Sequence, residues 1–332
     1  MINSEELKKE IPVVDTPGWA AHIERDGYYF CRFDKTRNIY DAIIIINHNM
    51  GLSLSPRYPK SKHSLDEHIS LINKLGIEKA RIIGTDISFI TRCPSLKYLD
   101  IYPSQLTEGI FDYSPLYDLP QISHLCCQTQ YGRKDELKTE IDYSRIKGLK
   151  SVAISGRGHL NYNTLEDLEE LYLADFRGRN YDLRDAFSSK ELRKIILTKC
   201  SIKSLDGLTQ SEHIETVELN YCSKLENVSQ LSKIKNTLTH LKIRNCPKIV
   251  DFTFLYRLEN LEYLYLEGKN SLLDLNFLPQ MPKLEFLYLG MNVLDGDLTH
   301  CLDVPYAVCD NHRHYNLTDS QLPKNNPKNN EN

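Results

Sequence analysis

The 332-residue sequence predicts an α/β solenoid: short repeating units, each giving one strand to a parallel sheet. Three observations carry that expectation. First, the pattern apolar-x-x-apolar-x-apolar recurs at Leu96/Leu99/Ile101, Ile122/Leu125/Cys127, Leu149/Val152/Ile154, Leu168/Leu171/Leu173, Leu192/Ile195/Leu197, Ile214/Val217/Leu219, Leu238/Leu241/Ile243, Leu261/Leu264/Leu266 and Leu284/Leu287/Leu289, with a weaker tenth at Ile77/Ala80/Ile82. Leu96 to Leu284 is 188 residues in eight steps, a mean of 23.5, and a fixed period in that range is the signature of a repeat architecture. Second, the residue eight places after the first apolar position is Thr85, Ser104, Cys200, Cys222, Cys246 or Asn292 in six of the ten units, with Gln130, Arg157, Phe176 and Lys269 departing. Third, return segments such as SIKSLDGLTQSEH and VDFTFLYRLENL are too short for long helices, which points to 3₁₀ turns and extended stretches.

The physics of the period explains the architecture. One strand and its return cannot bury an apolar face alone, whereas stacked units share a continuous core. Small polar residues and thiols suit the bend after each strand, where backbone groups turned inward need a partner. A thiol donates weakly and packs as a small hydrophobe, so Cys200, Cys222 and Cys246 are expected to be structural. LEELYL, LEYLYL and LEFLYL, with the Asn-or-Cys position that follows them, resemble the leucine-rich-repeat family over about two-thirds of the chain. The resemblance is to the bacterial cytoplasmic type. It implies a horseshoe with a parallel concave sheet, a non-enzymatic protein-binding role and no cofactor.

In order along the chain, residues 1–75 do not repeat and are expected to form an α+β cap. DGYYFCRF and NIYDAIIIIN are rich in aromatic and β-branched residues and predict strands. Ser64 opens a predicted helix, with Asp66 and Glu67 in its first turn and Gly76 as terminator. Residues 76–300 hold the repeats, 301–320 a C-terminal cap with a final irregular strand, and 321–332 a polar tail expected to be disordered. Regularity is weakest in the units starting at Leu149 and Leu168.

Composition narrows the function. Forty-one Lys and Arg stand against 45 Asp and Glu, a net charge of −4, which argues against nucleic acid as the main ligand. The longest aliphatic run, Ala42–Ile46, is far short of the ~20 residues of a spanning helix, and no apolar stretch follows the first charges. A cytoplasmic protein without a membrane partner is expected. Nine Cys, mostly inside apolar strand patterns, do not form a secreted disulfide framework.

Catalytic and cofactor motifs fail on inspection. VVDTPGW, residues 13–19, lacks any companion phosphate loop. SGRGHLN, residues 155–161, has Asn161 where a third glycine belongs. Cys301, Cys309, His312 and His314 have zinc-ligand chemistry without a recognised spacing. Cys126 beside His124 lacks a third residue to orient the histidine. An alternative, an enzyme with its site in residues 1–75, would draw on His22, Asp41, His48 and His63, none in a defined motif. No catalytic, cofactor or metal residue is therefore assigned.

Strand alternation selects the candidate surface. With the first, fourth and sixth pattern positions buried, the third, fifth and seventh face outward. This puts Tyr172, Glu218, Asn220, His240, Lys242, Arg244, Tyr263, Tyr265, Glu267, Phe286 and Tyr288 on one wall. Aromatics beside charge are typical of binding hot spots. Ten strands at ~4.8 Å spacing, each showing ~14 Å, give roughly 650 Å², near one side of a standard protein–protein interface at about 800 Å². A partner protein is expected there, a toxin or enzyme occluded by an immunity protein being one narrower form.

Overall fold

In the computed structural model, the residues described are 22–31, 43–47, 60–103, 111–120, 122–128, 140–155 and 158–325. From Ile77 on, the leucine pattern organises them. Of the 27 positions in the nine main hits, all are at most 6% exposed. Only Ile77, opening the weaker tenth unit, is half-buried. The fold is a leucine-rich-repeat solenoid. The chain divides into two compact units, residues 1–162 and 163–332.

In the first unit, β1 (His22–Arg25), β2 (Tyr28–Cys31) and β3 (Ile43–Asn47) pair antiparallel. From β3 the pairing is parallel through β4 (Lys79–Gly84), β5 (Tyr98–Pro103), β6 (His124–Gln128) and β8 (Ser151–Ser155). A two-stranded pair, β7 (Ile141–Asp142) with β9 (His159–Leu160), lies apart from this ladder. Helix α1 (Leu65–Leu75) begins and ends on the expected signals. Ser64 Oγ accepts from the Glu67 amide, the Glu67 carboxylate accepts from the Ser64 amide, and Gly76 closes the helix at φ 61°. The left-handed cap favours Gly because a Cβ is disfavoured there.

One expectation fails in this unit. The central outward positions of β3, β4 and β5 are not open wall. Ile45, Arg81, Asp100 and Tyr98 are 0, 2, 0 and 8% exposed, so β3, β4 and β5 are buried on both faces at these positions, while Lys79, Ile83 and Tyr102 stay partly exposed. Arg81 Nε donates to Asp100 Oδ2 at 2.7 Å, and its guanidinium stands 5.5 Å from the centre of the Tyr102 ring. A buried charge requires such pairing. The expected area of roughly 650 Å² counted β4 and β5 and overstates the open face.

In the second unit, β10 (Glu170–Ala174), β11 (Lys194–Thr198), β12 (Thr216–Asn220), β13 (His240–Arg244), β14 (Tyr263–Leu272), β15 (Phe286–Val293) and β16 (Tyr306–Cys309) pair parallel in chain order. The returns are 3₁₀ segments, among them Ser229–Ile234, Thr253–Arg257 and Thr299–Asp303. Across both units six returns open alike. The side chain of Asp86, Asp112, Asp142, Asn227, Asp251 or Asp297 accepts the amide of the Ser or Thr two residues on, at 2.8–3.1 Å. This side-chain turn fixes the exit from extended to 3₁₀ backbone.

The exits of β10 to β13 are also uniform. Asp175, Lys199, Tyr221 and Asn245 adopt φ of 51–58°, and the amides of the last three reach the carbonyls of Asn220, Arg244 and Glu267 at 2.7–2.8 Å. That corner turns the next residue inward. Cys200, Cys222 and Cys246 are at most 1% exposed, and their sulfurs lie 3.4–3.8 Å from Leu173, Leu197 and Leu219 carbonyls. Contact with Cys200, together with burial, pushes the Cys222 thiol up to about 12, which keeps it protonated and unreactive.

Three bend positions differ from expectation. At the unit starting Leu261 a bulge separates Glu267 from Ser271, so Asn270 instead of Lys269 turns inward, donating to the Pro247 and Ile249 carbonyls at 3.1 and 2.6 Å. Because β15 runs straight on, Met291 is buried and Asn292 faces outward. Thr85 is exposed, while Ser104 lies outside the described residues.

The C-terminal boundary also moves. Val304, Ala307 and Cys309 repeat the buried pattern at 4, 0 and 5% exposure, so the expected cap begins with an eleventh ladder strand, β16. The tail is ordered through Asn325, not disordered from 321. Leu322 is buried, and the Ala307 amide bonds to the Pro323 carbonyl at 3.0 Å. Those residues cover an open sheet edge. Residues 326–332 lie outside the described residues, as do Asp41, His48 and the VVDTPGW segment. Among the described residues no helix is long and apolar enough to cross a membrane.

Candidate protein-binding surface

Register assembles the surface in the second unit. The third-position column runs Glu170, Lys194, Thr216, His240, Tyr263, Phe286, Tyr306. The fifth-position column runs Tyr172, Ile196, Glu218, Lys242, Tyr265, Tyr288, Val308, and the seventh runs Ala174, Thr198, Asn220, Arg244, Glu267, Gly290. All eleven residues selected from the sequence lie on this face and are partly exposed.

Strand spacing of ~4.8 Å is close to ring-stacking distance, so identical positions on neighbouring strands stack. Tyr263 lies 4.5 Å from Phe286 at 5°, and Tyr265 lies 4.4 Å from Tyr288 at 10°. His240 extends the first column at 5.7 Å from Tyr263, and Tyr306 extends it at 5.5 Å from Phe286. Two parallel columns of rings result. Tyr306 was not among the expected residues, although Val304-x-x-Ala307-x-Cys309 satisfies the same pattern without leucine. Gly290 completes the geometry, since a Cβ there would stand 2.9 Å from Tyr288 Cε1. Its missing side chain is the space the Tyr288 ring uses.

The charges on the wall are matched internally. Lys242, 12% exposed at its side chain, lies 4.0 Å from Glu218 and 4.9 Å from the centre of the Tyr265 ring. Arg244 Nε is 3.0 Å from Glu267 Oε2 and stands 5.3 Å from the Tyr221 ring. Glu267 also accepts from Asn245 Nδ2 at 3.2 Å and from the Tyr265 hydroxyl. Burial and that bond to Glu267 push the Tyr265 phenol well above its ordinary value. Burial and the Asp310 carboxylate raise Tyr288. Both rings are therefore neutral and held in place.

Tyr172 does not join the ring columns. It is four strands from Tyr265, roughly 19 Å at the usual spacing, bonded to Glu170 at 2.9 Å and lying 5.4 Å from Lys194. Asn220 stands one strand from Arg244, at the margin of the aromatic region.

The other candidate groups are placed elsewhere. Cys301 and Cys309 are buried, His314 Nε2 is 2.9 Å from the Val293 carbonyl, and His312 is exposed. Among the described residues no group of three or more His, Cys, Asp or Glu side chains converges. In the first unit, His63 Nε2 bonds the Asp26 carbonyl at 2.7 Å and its ring stacks on Tyr28 at 3.9 Å. Burial of Cys127 pushes its thiol well up, and His124 Nδ1 bonds Ser123 Oγ at 2.8 Å.

No protein-family model matches the chain, and no curated protein matches it. Among solved structures it is similar to an internalin, InlF, from Listeria monocytogenes str. 4b F2365, at 17% identity over 74% of this chain and 73% of that one, with a TM-score of 0.46. It is similar to the functional domain of InlJ from Listeria monocytogenes, which includes a cysteine ladder, at 17% identity over 70% of this chain and 48% of that one, TM-score 0.44. A third is the leucine-rich-repeat ectodomain of the plant receptor kinase GASSHO1/SCHENGEN3 from Arabidopsis thaliana, at 15% identity over 72% of this chain and 32% of that one, TM-score 0.36. At such identities the likeness concerns fold alone.

Proposed function

We propose that this protein is a non-catalytic binding module whose second unit engages a partner protein through the sheet face, with the two ring columns as the anchor. The observation that carries this reading is the clustering. Strands β10 to β12 present a single ring, Tyr172, among Glu170, Lys194, Ile196, Thr198, Thr216, Glu218 and Asn220, whereas Tyr263, Tyr265, Phe286, Tyr288 and Tyr306 crowd the last three. Core packing does not require rings there, because the buried positions of all these strands are equally aliphatic. Preordered aromatics bury area at low entropic cost on binding.

The test is capture of a partner from lysate of the source cell by the full chain and by a Tyr265→Ala/Tyr288→Ala variant. Loss of the pair is expected to weaken capture at least ~30-fold, the scale of a ~2 kcal/mol hot spot. A partner retained equally by both proteins, with the variant folded by circular dichroism, contradicts the proposal.

A further inference from the structure

We infer that the partner presents a basic, arginine-bearing segment that lies along the His240–Tyr263–Phe286–Tyr306 column; this rests on the sheet-face reading above. The argument starts from the row at the strand entries, one residue before that column. In its earlier part charges alternate and pair, Arg193 Nη1 meeting Glu215 Oε1 at 2.5 Å. In its later part they do not. Glu262 and Glu285 stand on neighbouring strands, tied by the Glu285 amide to the Glu262 carbonyl at 2.8 Å, and both are exposed. Among the described residues neither carboxylate has an ion pair. Like charges one strand apart repel, and a bound cation relieves that repulsion.

The positive charge of the wall cannot serve. Lys242 is committed to Glu218, and Arg244 to Glu267. What stays open beside the first ring column is negative, Glu262 and Glu285 at the strand entries, since Lys324, 5.8 Å from the Tyr306 ring, is paired with Asp319. Residues 240–325 hold eight Lys and Arg against eleven Asp and Glu, a net charge of −3.

A cavity of about 560 Å³ opens at the same rim, lined among others by Leu278, Met281, Glu285, Asp303 and Pro305. Lys283 also lines it, with its ammonium bound to Asn260 Oδ1 at 2.8 Å, and so does His300. A mixed lining in which Glu285 and Asp303 stand beside Leu278, Met281 and Pro305 suits a long side chain with an apolar stem and a cationic head. Arginine fits best, because its planar group stacks on aromatic rings and takes carboxylates in fork geometry, whereas lysine offers a point charge.

The probes are fluorescent nine-residue peptides rich in Arg, Lys or Glu, titrated into the full chain and followed by anisotropy at about 50 mM and about 0.3 M salt. The Arg peptide is expected to bind at least ~10-fold tighter than the Glu peptide and to weaken with salt. Glu262→Lys/Glu285→Lys is expected to weaken it ~10-fold, and Tyr263→Ala several-fold. Glu191→Lys/Glu212→Lys makes the same net-charge change at exposed sites in the bends before β11 and β12, and is expected to leave binding nearly unchanged. Equal weakening by both charge-reversal pairs, or tighter binding of the Glu peptide, overturns the inference. A captured partner that depends on Tyr265 and Tyr288 but ignores Glu262→Lys/Glu285→Lys overturns the basic-segment assignment alone. One that ignores the tyrosines overturns the sheet-face reading.

Discussion

Cys222 illustrates how much a single position carries in this fold. Its left-handed neighbour Tyr221 turns it inward, and its thiol sits 3.8 and 3.6 Å from the Leu197 and Asn220 carbonyls with Cys200 and Cys246 in the flanking units. Cys222→Val keeps the volume and removes the donor, so we expect a loss of about 1–2 kcal/mol in urea unfolding. Cys222→Ser keeps a donor and is expected to cost less; the reverse order would contradict a hydrogen-bonding role. This position was readable from spacing because the corner before it is regular. Asn270 was not, because the bulge after Glu267 displaces the inward position by one residue, and spacing alone does not register an inserted residue. The interior of the ring columns was likewise readable from alternation, whereas the unpaired state of Glu262 and Glu285 depends on neighbours 23 residues apart in sequence and equal in register.

At the scale of elements, the turns repeat as faithfully as the strands do. Asp-x-Ser or Asp-x-Thr, with Asn once in place of Asp, opens six of the 3₁₀ returns. That signal was present in the sequence, hidden because leucine spacing dominates the pattern. Asp251→Ala removes the acceptor for the Thr253 amide and is expected to cost about 1 kcal/mol, while Asp251→Asn keeps an acceptor and costs little. Thermal melts of the two variants check the difference. Helix α1 makes a pH prediction. The Ser64 amide and hydroxyl, with His63 beside them, lower the Glu67 carboxyl to about 2. A depressed carboxylate stabilises the fold fully above its ordinary value of 4.5 and loses that contribution as pH falls toward about 2. Hydrogen exchange of the α1 amides is therefore expected to quicken over that window in the native protein and to change less in Glu67→Gln. An equal pH dependence in both would rule out the cap. Arg81 and Asp100 escaped the sequence reading for a different reason: alternation puts them on the outward face, and only tertiary cover makes that face interior. Removing one partner, as in Arg81→Ala, is expected to cost about 3–5 kcal/mol because it strands a buried charge.

Across the whole molecule, repeat physics demands closed ends, since each unit is stabilised by its neighbours and a bare terminal strand is sticky. The chain answers at its C-terminal end with the Pro323 carbonyl on Ala307 and the Lys324 ammonium on the Ala307 carbonyl and Asp319. Deleting residues 322–332 is expected to bare β16 and cause concentration-dependent association in sedimentation velocity, while a protein still monomeric at high concentration would show the cover to be dispensable. Composition had suggested a disordered tail because Pro, Lys and Asn are poor in apolar surface, but two backbone bonds and one buried leucine are enough to order its first residues. The division at residues 162 and 163 falls near the units where the leucine pattern is least regular. Every claim about function rests on the ring columns being the contact surface. A photo-crosslinking residue placed at Tyr288, and in a second protein at Tyr256 on the 3₁₀ return Thr253–Arg257, decides it most directly when each is irradiated in source-cell lysate. Crosslinking of a partner from position 288 and not from 256 is the predicted result; crosslinking from 256 with none from 288 would contradict it.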